Sequence, residues 1–178
     1  DVGNAIAFDA SNNVYVTGYF SYFVDFDPGP AYVELNSYGD EDIFVVKFSS
    51  SGGLVWARQM GTADTQIGVD IATDAYSNVY ITGTFKGNAD FNPISGAYYI
   101  NSNGNEDVFV VKLTNFGTLS WARAMGGTGE DLATAIEIDP DGNVITTGTF
   151  NGTVDFDPGA GIYNLTSASG SDAFISKL

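Results

Sequence analysis

The chain of 178 residues contains no cysteine and no histidine. Without cysteine there is neither a disulfide framework nor a thiolate metal site, and the compartment stays open on that count. Without histidine the commonest general base and the commonest transition-metal ligand are both missing. A nucleophilic triad built on either residue is excluded, and no Ser–Lys pairing stands out. Basic residues are scarce too: six Lys and Arg stand against 22 Asp and Glu, a net charge of −16. Nucleic acid is therefore excluded as a partner, because phosphate neutralisation needs a basic face. An anionic membrane surface is disfavoured for the same reason. No apolar run reaches about 18 residues, so no membrane insertion is expected. No signal peptide is visible and Asp1 is not a natural start, so a mature or excised piece is expected. Helical periodicity is absent throughout.

What is present is a repeat. Asn13-Val14-Tyr15-Val16-Thr17-Gly18 returns as Asn78-Val79-Tyr80-Ile81-Thr82-Gly83 and as Asn143-Val144-Ile145-Thr146-Thr147-Gly148, each time 65 residues on. Asp42-Ile43-Phe44-Val45-Val46-Lys47 recurs from Asp107 and from Asp172, and Leu54-Val55-Trp56-Ala57-Arg58 recurs from Leu119. A fixed period without insertion or deletion means one supersecondary unit copied in tandem. The units are residues 1–65, 66–130 and 131–178, the last without its final strand. Five of the six basic residues follow the period: Lys47, Lys112, Lys177, Arg58 and Arg123. They belong to the scaffold, paired with repeated Asp residues, and form no patch. Only Lys86 falls outside the pattern.

Each unit reads as four main strands with an inserted hairpin. The first strand covers residues 5–9, 70–74 and 135–139, and a polar Asp/Asn turn follows it. The second covers residues 14–20, 79–85 and 144–150, rich in β-branched and aromatic residues. The hairpin holds Asp25-Phe26-Asp27-Pro28-Gly29, Asp90-Phe91-Asn92-Pro93 and Asp155-Phe156-Asp157-Pro158-Gly159. Pro-Gly presets a type II turn, and Pro93-Ile94 departs from it. The third strand, residues 42–48, 107–113 and 172–178, is nearly continuous apolar sequence, as expected where both faces are covered. The fourth, residues 54–60 and 119–125, carries Trp56 and Trp121, which are expected to anchor packing between units. The expected class is all-β: tandem blade-like units in an open propeller-like or stacked β array.

These strands, in this order, resemble the bacterial SBBP family, the beta-propeller repeat, over essentially the whole chain. The carrying residues are Ala5-Ile6-Ala7-Phe8-Asp9, Asn13 to Gly18, Asp42 to Lys47 and Leu54-Val55-Trp56, with their copies. The Asp-Phe-Asp-Pro-Gly hairpin looks like a variant found in long multi-repeat surface proteins. The resemblance implies propeller blades on a secreted or surface-anchored bacterial protein. It implies no reaction, because such repeats share no catalytic residues.

Candidate chemistry is confined to the hairpin. Residues i and i+2 of a strand share a face, so Asp25 and Asp27, Asp90 and Asn92, and Asp155 and Asp157 would project together while the intervening Phe packs. Paired oxygens with carbonyls nearby suit Ca2+, which takes six to eight oxygen ligands. The competing reading is local capping of the turn. Asp42, Asp107 and Asp172, with Asp9, Asp74 and Asp139, are expected to serve turn chemistry or to pair with Arg58 and Arg123; a second cation site is the alternative. A two-carboxylate glycosidase needs one unique pair in a cleft, whereas these carboxylates recur in every unit, so no enzyme is expected. Asn151-Gly152-Thr153 and Asn164-Leu165-Thr166 match the N-glycosylation pattern. Tyr19, Tyr22, Tyr32, Tyr38 and Tyr99 are expected to pack in loops, with sugar binding as the alternative.

The strand Ala173-Phe174-Ile175 is expected to be an exposed edge that invites pairing. Three readings are open: a piece of a longer repeat protein, a subunit completed by another chain, or a self-sufficient monomer. An end-to-end contact that does not close grows into a filament. The expected function is a non-enzymatic, extracellular or cell-surface structural repeat, a segment or subunit of a filament, stalk or matrix. Its partners would be copies of itself or further repeats of the same chain. The alternative is a carbohydrate- or protein-binding adhesion module from a larger secreted propeller, with glycans as partners.

Overall fold

A computed structural model describes residues 1–178, and all regular elements are β-strands. The first unit contains β1 (Val2–Phe8), β2 (Val14–Phe20), β3 (Phe23–Asp25), β4 (Glu34–Asn36), β5 (Asp42–Phe48) and β6 (Leu54–Met60). The second contains β7 (Gln66–Thr73), β8 (Val79–Asp90), β9 (Tyr99–Leu113) and β10 (Leu119–Gly127). The third contains β11 (Leu132–Ile138), β12 (Val144–Asp155) and β13 (Asn164–Lys177). The chain is all-β and propeller-like.

Each unit forms an antiparallel blade. The orders are β1-β2-β5-β6, then β7-β8-β9-β10, then β11-β12-β13. β1 packs against β7, and β7 against β11, so the first strands of successive blades lie side by side. Every first strand carries a register shift at one place, between Gly3 and Ala5, Gly68 and Asp70, and Ala133 and Ala135. The shift pushes a carbonyl onto the second strand, and this accounts for the Gly of each Thr-Gly pair. A Cβ on Gly83 would sit 1.9 Å from the Ile67 carbonyl oxygen, and Gly18 and Gly148 are crowded alike by Val2 and Leu132.

The hairpin departs from the expected form. Only the first unit has a separate two-stranded sheet, β3–β4. In the second unit β8 and β9 run straight through, pairing from Val79↔Leu113 to Asp90↔Tyr99 across one shift between Lys86 and Asn88. In the third, β12 and β13 do the same around Asn151 and Thr153. The bulge residue explains the difference. Gly87 and Gly152 hold φ of 69° and 81°, which glycine adopts freely. The first unit places Tyr22 there at φ 61°, a left-handed conformation that costs a residue with a Cβ about 1–2 kcal/mol. Pairing stops at that point.

The apolar cores lie mainly between blades. One joins Tyr15, Val45, Trp56 and Met60 of the first blade to Ile71, Ile81, Phe85 and Phe109 of the second. The next joins Tyr80, Val108, Val110 and Met125 to Ile136, Phe150, Val154 and Phe174. A smaller cluster on the outer face of the first blade gathers Phe20, Phe44, Val46 and Ala57 beneath the hairpin. The Phe of each Asp-Phe-Asp/Asn segment packs as expected. Phe26 lies 5.6 Å from Phe20 and 4.9 Å from Phe44; Phe91 lies 5.3 Å from Phe85 and 5.0 Å from Phe109; Phe156 lies 5.2 Å from Phe150 and 4.9 Å from Phe174. Burying such a ring contributes about 2–3 kcal/mol, so the hairpin is held by its phenylalanine.

Candidate functional site

Three sets of repeated polar residues could carry function: the hairpin carboxylates, the carboxylates of the first turn, and the groups between blades.

In the hairpin, Asp25 Oδ1 accepts the backbone N–H groups of Asp27 and Val33 at 3.1 and 2.9 Å. Asp90 Oδ1 accepts those of Asn92 and Tyr98, and Asp155 Oδ1 those of Asp157 and Tyr163. These N–H bonds hold the Asp155 carboxyl below the usual range. Asp27 and Asp157 each cap the N–H two residues on, at Gly29 and Gly159; Asn92 accepts from Ile94 N–H and donates to the Ser95 carbonyl. The six residues thus close the loop through one oxygen each. No three carboxylates gather into a group that could hold a metal ion.

The first turn is a closed polar module. Asp9 Oδ1 accepts Ser11 N–H and Asn13 N–H, while Oδ2 accepts the Asn13 amide and the Tyr15 hydroxyl. Burial works against ionisation of Asp9, but the bonds from Asn13, Tyr15 and Ser11 outweigh it and lower its pKa to about 2. Lys47 stands 3.8 Å from Asp9 and 5.0 Å from the Tyr15 ring centroid. Asp74, Asn78, Tyr80 and Lys112 repeat the set, and Lys177 meets Asp139 at 2.8 Å in the third unit. Of the two roles expected for these aspartates, turn chemistry and pairing with Arg58 and Arg123, the structure shows the first, and the cations they meet are the repeated lysines. The third strand ends beside the first turn, whereas Arg58 and Arg123 lie on fourth strands directed at the next blade.

Asp42 and Asp107 are fully buried, unlike residues of an exposed turn. Asp42 Oδ2 accepts Tyr38 N–H and the Gln59 amide, and Asp107 Oδ2 accepts Asn103 N–H. Their Oδ1 atoms have no donor. Asp42 Oδ1 and Gln66 Oε1 lie 2.5 and 2.6 Å from the point where a Cβ on Gly61 would sit, so two acceptors share one small space. In the second unit Asp131 replaces Gln66, and it is buried as well. Burial pushes the Asp42 and Asp107 carboxyls up to about 6. For Asp107 the neighbouring Asp131 charge adds to the effect. The sequence marked Asp42 and Asp107 for turn chemistry, which their bonds to Tyr38 and Asn103 N–H satisfy, but not for burial, because the closing glycines Gly61 and Gly126 are remote from them along the chain.

Between blades the repeated residues contact one another directly. The Trp56 indole N–H donates to the Asn115 carbonyl at 3.1 Å. Arg58 donates through Nε to Gly117 and through Nη2 to Phe116, both at 3.0 Å. These carbonyls belong to the turn between β9 and β10 of the next blade. Gly61 N–H donates to the Asp90 carbonyl at 2.9 Å, and 65 residues on Gly126 faces Asp155 in the short β10–β12 ladder. The Asn4 amide donates to Gly68, and Thr73 to the Phe8 carbonyl. Trp56 and Trp121 face the following blade, as expected from their place in the repeat. Exposed Tyr22, Tyr32, Tyr38 and Tyr99 are spread over the hairpins.

Comparison with known proteins agrees with this architecture. Residues 55–92 match the SBBP family model, described as a beta-propeller repeat. The matched segment starts on the outer strand of the first blade and ends in the hairpin loop of the second. Over 133 residues, 67% of this chain, the sequence is 26% identical to the uncharacterized WD repeat-containing protein L264 of Acanthamoeba polyphaga mimivirus. Over 138 residues, 75% of this chain, it is 29% identical to the regulatory protein FlaEY of Caulobacter vibrioides. The chain spans only 9% and 14% of the length of these two relatives.

Proposed function

We propose that this repeat protein is a non-enzymatic structural module whose blades stack on like blades, as a segment or subunit of an extracellular or cell-surface filament, stalk or matrix. One observation carries the reading. The donors and acceptors that join blades are the repeated residues themselves, Trp56 and Arg58 against the turn at Asn115 to Gly117. A surface that recurs every 65 residues recognises its own repeat. The outer faces of the array remain apolar: Ile6 is 57% exposed and Ile175 is 80% exposed, whereas Ile71 and Val110, their equivalents inside the array, are buried. Further blades, in the same chain or in another copy, are the partners that fit. The acidic surface and the lack of a unique carboxylate pair support a role outside catalysis.

Electron microscopy of the purified chain tests the reading: end-to-end strings or regular stacks are expected. Discrete single particles at all accessible concentrations would sink the polymer form. Calcium at Asp25, Asp27, Asp90, Asn92, Asp155 and Asp157 is part of the proposal as a loop-stabilising ion, held through the Oδ2 atoms of the five aspartates and the single side-chain oxygen of Asn92.

A further inference from the structure

A cleft of about 410 Å³ lies between the hairpins of the first and second blades. That volume is in the range of small-molecule sites. Both walls belong to complete four-stranded blades. Part of the lining follows the 65-residue period, as scaffold does: Arg58, Met60 and Asp90 all recur. Four lining residues break the period. Tyr38, Gln59, Ile94 and Tyr99 become Asn103, Ala124, Gly159 and Asn164 one unit on. Between the second and third blades none of these positions carries a ring.

Tyr38 and Tyr99 thus meet at one opening, 72% and 59% exposed. Their backbones are nonetheless fixed. The Tyr38 N–H donates to the buried Asp42 at 3.0 Å, and Gly39 packs on Ala63. Tyr99 pairs with Asp90 in the β8–β9 ladder. Loop packing does not account for the Tyr38 ring, because Asn103 holds the equivalent place through the same bond to Asp107. Rings held at set positions in water offer amphipathic contact surface at small entropic cost.

The polar groups match a neutral ligand rich in hydroxyls. Gln59 donates its amide N–H groups to the Asn36 carbonyl and to Asp42, which fixes the amide and leaves Oε1 as an acceptor. Arg58 is the one cation of the lining, and it already donates to the carbonyls of Ala57, Phe116 and Gly117. With Asp90 also in the wall and a net charge of −16, an anionic ligand is disfavoured. An added peptide strand is disfavoured too, because the Gly61 N–H at the end of β6 is bonded to the Asp90 carbonyl.

We infer that this cleft binds a neutral saccharide chain, with Tyr38 and Tyr99 stacking on pyranose rings and Gln59 Oε1 accepting a sugar hydroxyl. β-Linked glucan chains fit best, since their equatorial hydroxyls leave both faces of each ring flat and apolar. The inference adds a ligand to the repeat module and does not depend on blade stacking, which runs through Trp56 and its turn.

Isothermal titration of the full chain with cellotetraose tests it, with a chelator present so that hairpin calcium does not enter. Saturable one-to-one binding is expected. Each variant takes the residue found one unit on, which the fold already accommodates, and circular dichroism checks folding. Tyr38→Asn and Tyr99→Asn should each weaken binding about threefold or more, and together about tenfold or more. Gln59→Ala should weaken it as well. Tyr22→Gly removes an equally exposed ring outside the cleft and should change nothing. No saturable binding at millimolar cellotetraose would overturn the inference, and so would binding that survives the double variant. An equal loss on Tyr22→Gly would overturn it too, since it would mark indiscriminate contact with tyrosine. A proline-rich peptide that binds through Tyr38 and Tyr99 where cellotetraose does not would give the cleft to peptide instead.

Discussion

The Trp56 indole N–H meets the Asn115 carbonyl at 3.1 Å across the boundary between two blades, 59 residues apart in the chain. Arg58 follows it onto Phe116 and Gly117. Burial lowers the Arg58 pKa, but the guanidinium stays charged, since arginine starts from a very high value. The contact therefore combines charge-assisted bonds with ring stacking. Arg58→Ala is expected to cost about 1–3 kcal/mol, because it leaves carbonyls at the turn without donors. The same change at exposed Arg123 is expected to cost no more than about 0.5 kcal/mol in the isolated chain. Urea denaturation of both variants checks the contrast, and equal losses would contradict it.

Stability is expected to peak at mildly acidic pH. Asp42 and Asp107 hold their protons up to about pH 6, well above the ordinary 3.8. The native state then binds more protons than the unfolded chain between these values. Stability falls as pH rises from about 4 to 6, by on the order of 2–3 kcal/mol for each group. Asp9 acts in the opposite direction: its folded value of about 2 lies below 3.8, so its contribution is complete above pH 4 and lost as pH falls towards 2. Thermal melting from pH 3 to 8 should trace this maximum.

Asp42→Asn offers a sharper check. The amide keeps an oxygen for Tyr38 N–H and the Gln59 amide, and turns an N–H2 group toward Gln66 Oε1. The variant is expected to be more stable than the parent at pH 7 and to show a shallower decline between pH 4 and 6. A loss of stability at pH 7 would refute the assigned packing.

Backbone conformation gives a pair of opposite expectations. Tyr22→Gly relieves a left-handed tyrosine whose side chain is exposed, and should stabilise by about 0.5–1 kcal/mol. Gly83→Ala would drive a Cβ into the Ile67 carbonyl and the Phe109 ring, and should destabilise by several kcal/mol or prevent folding. Denaturation midpoints of the two variants decide both.

For calcium, melting curves with the ion and with a chelator are expected to differ by several degrees, and Asp25→Asn, Asp90→Asn and Asp155→Asn together should abolish the difference. Identical curves for the parent would remove the six hairpin residues from consideration as ligands.

The repeated pattern of apolar and turn residues made the class, the strand order and the phenylalanine packing legible from the chain alone. Phe26, Phe91 and Phe156 had to pack because alternation leaves them no other face. The bulge glycines were visible as residues but not as a cause of strand length, since Tyr22 occupies the same φ without the same pairing. That repeated lysines pair with repeated aspartates was legible, but not which aspartate each one meets, because Lys47 and Lys112 reach Asp9 and Asp74 from a strand 38 residues away.

What the sequence determined by itself is the repeating unit, for local alternation and turn chemistry act within a few residues. What only the tertiary structure decided is how units recognise one another. The Trp56–Asn115 and Arg58–Gly117 bonds and the buried Asp42 beside Gln66 join residues that meet only once blades stack. Hydrogen bonds and burial depend on distance in space, and the period fixes which residues repeat without fixing what each of them faces.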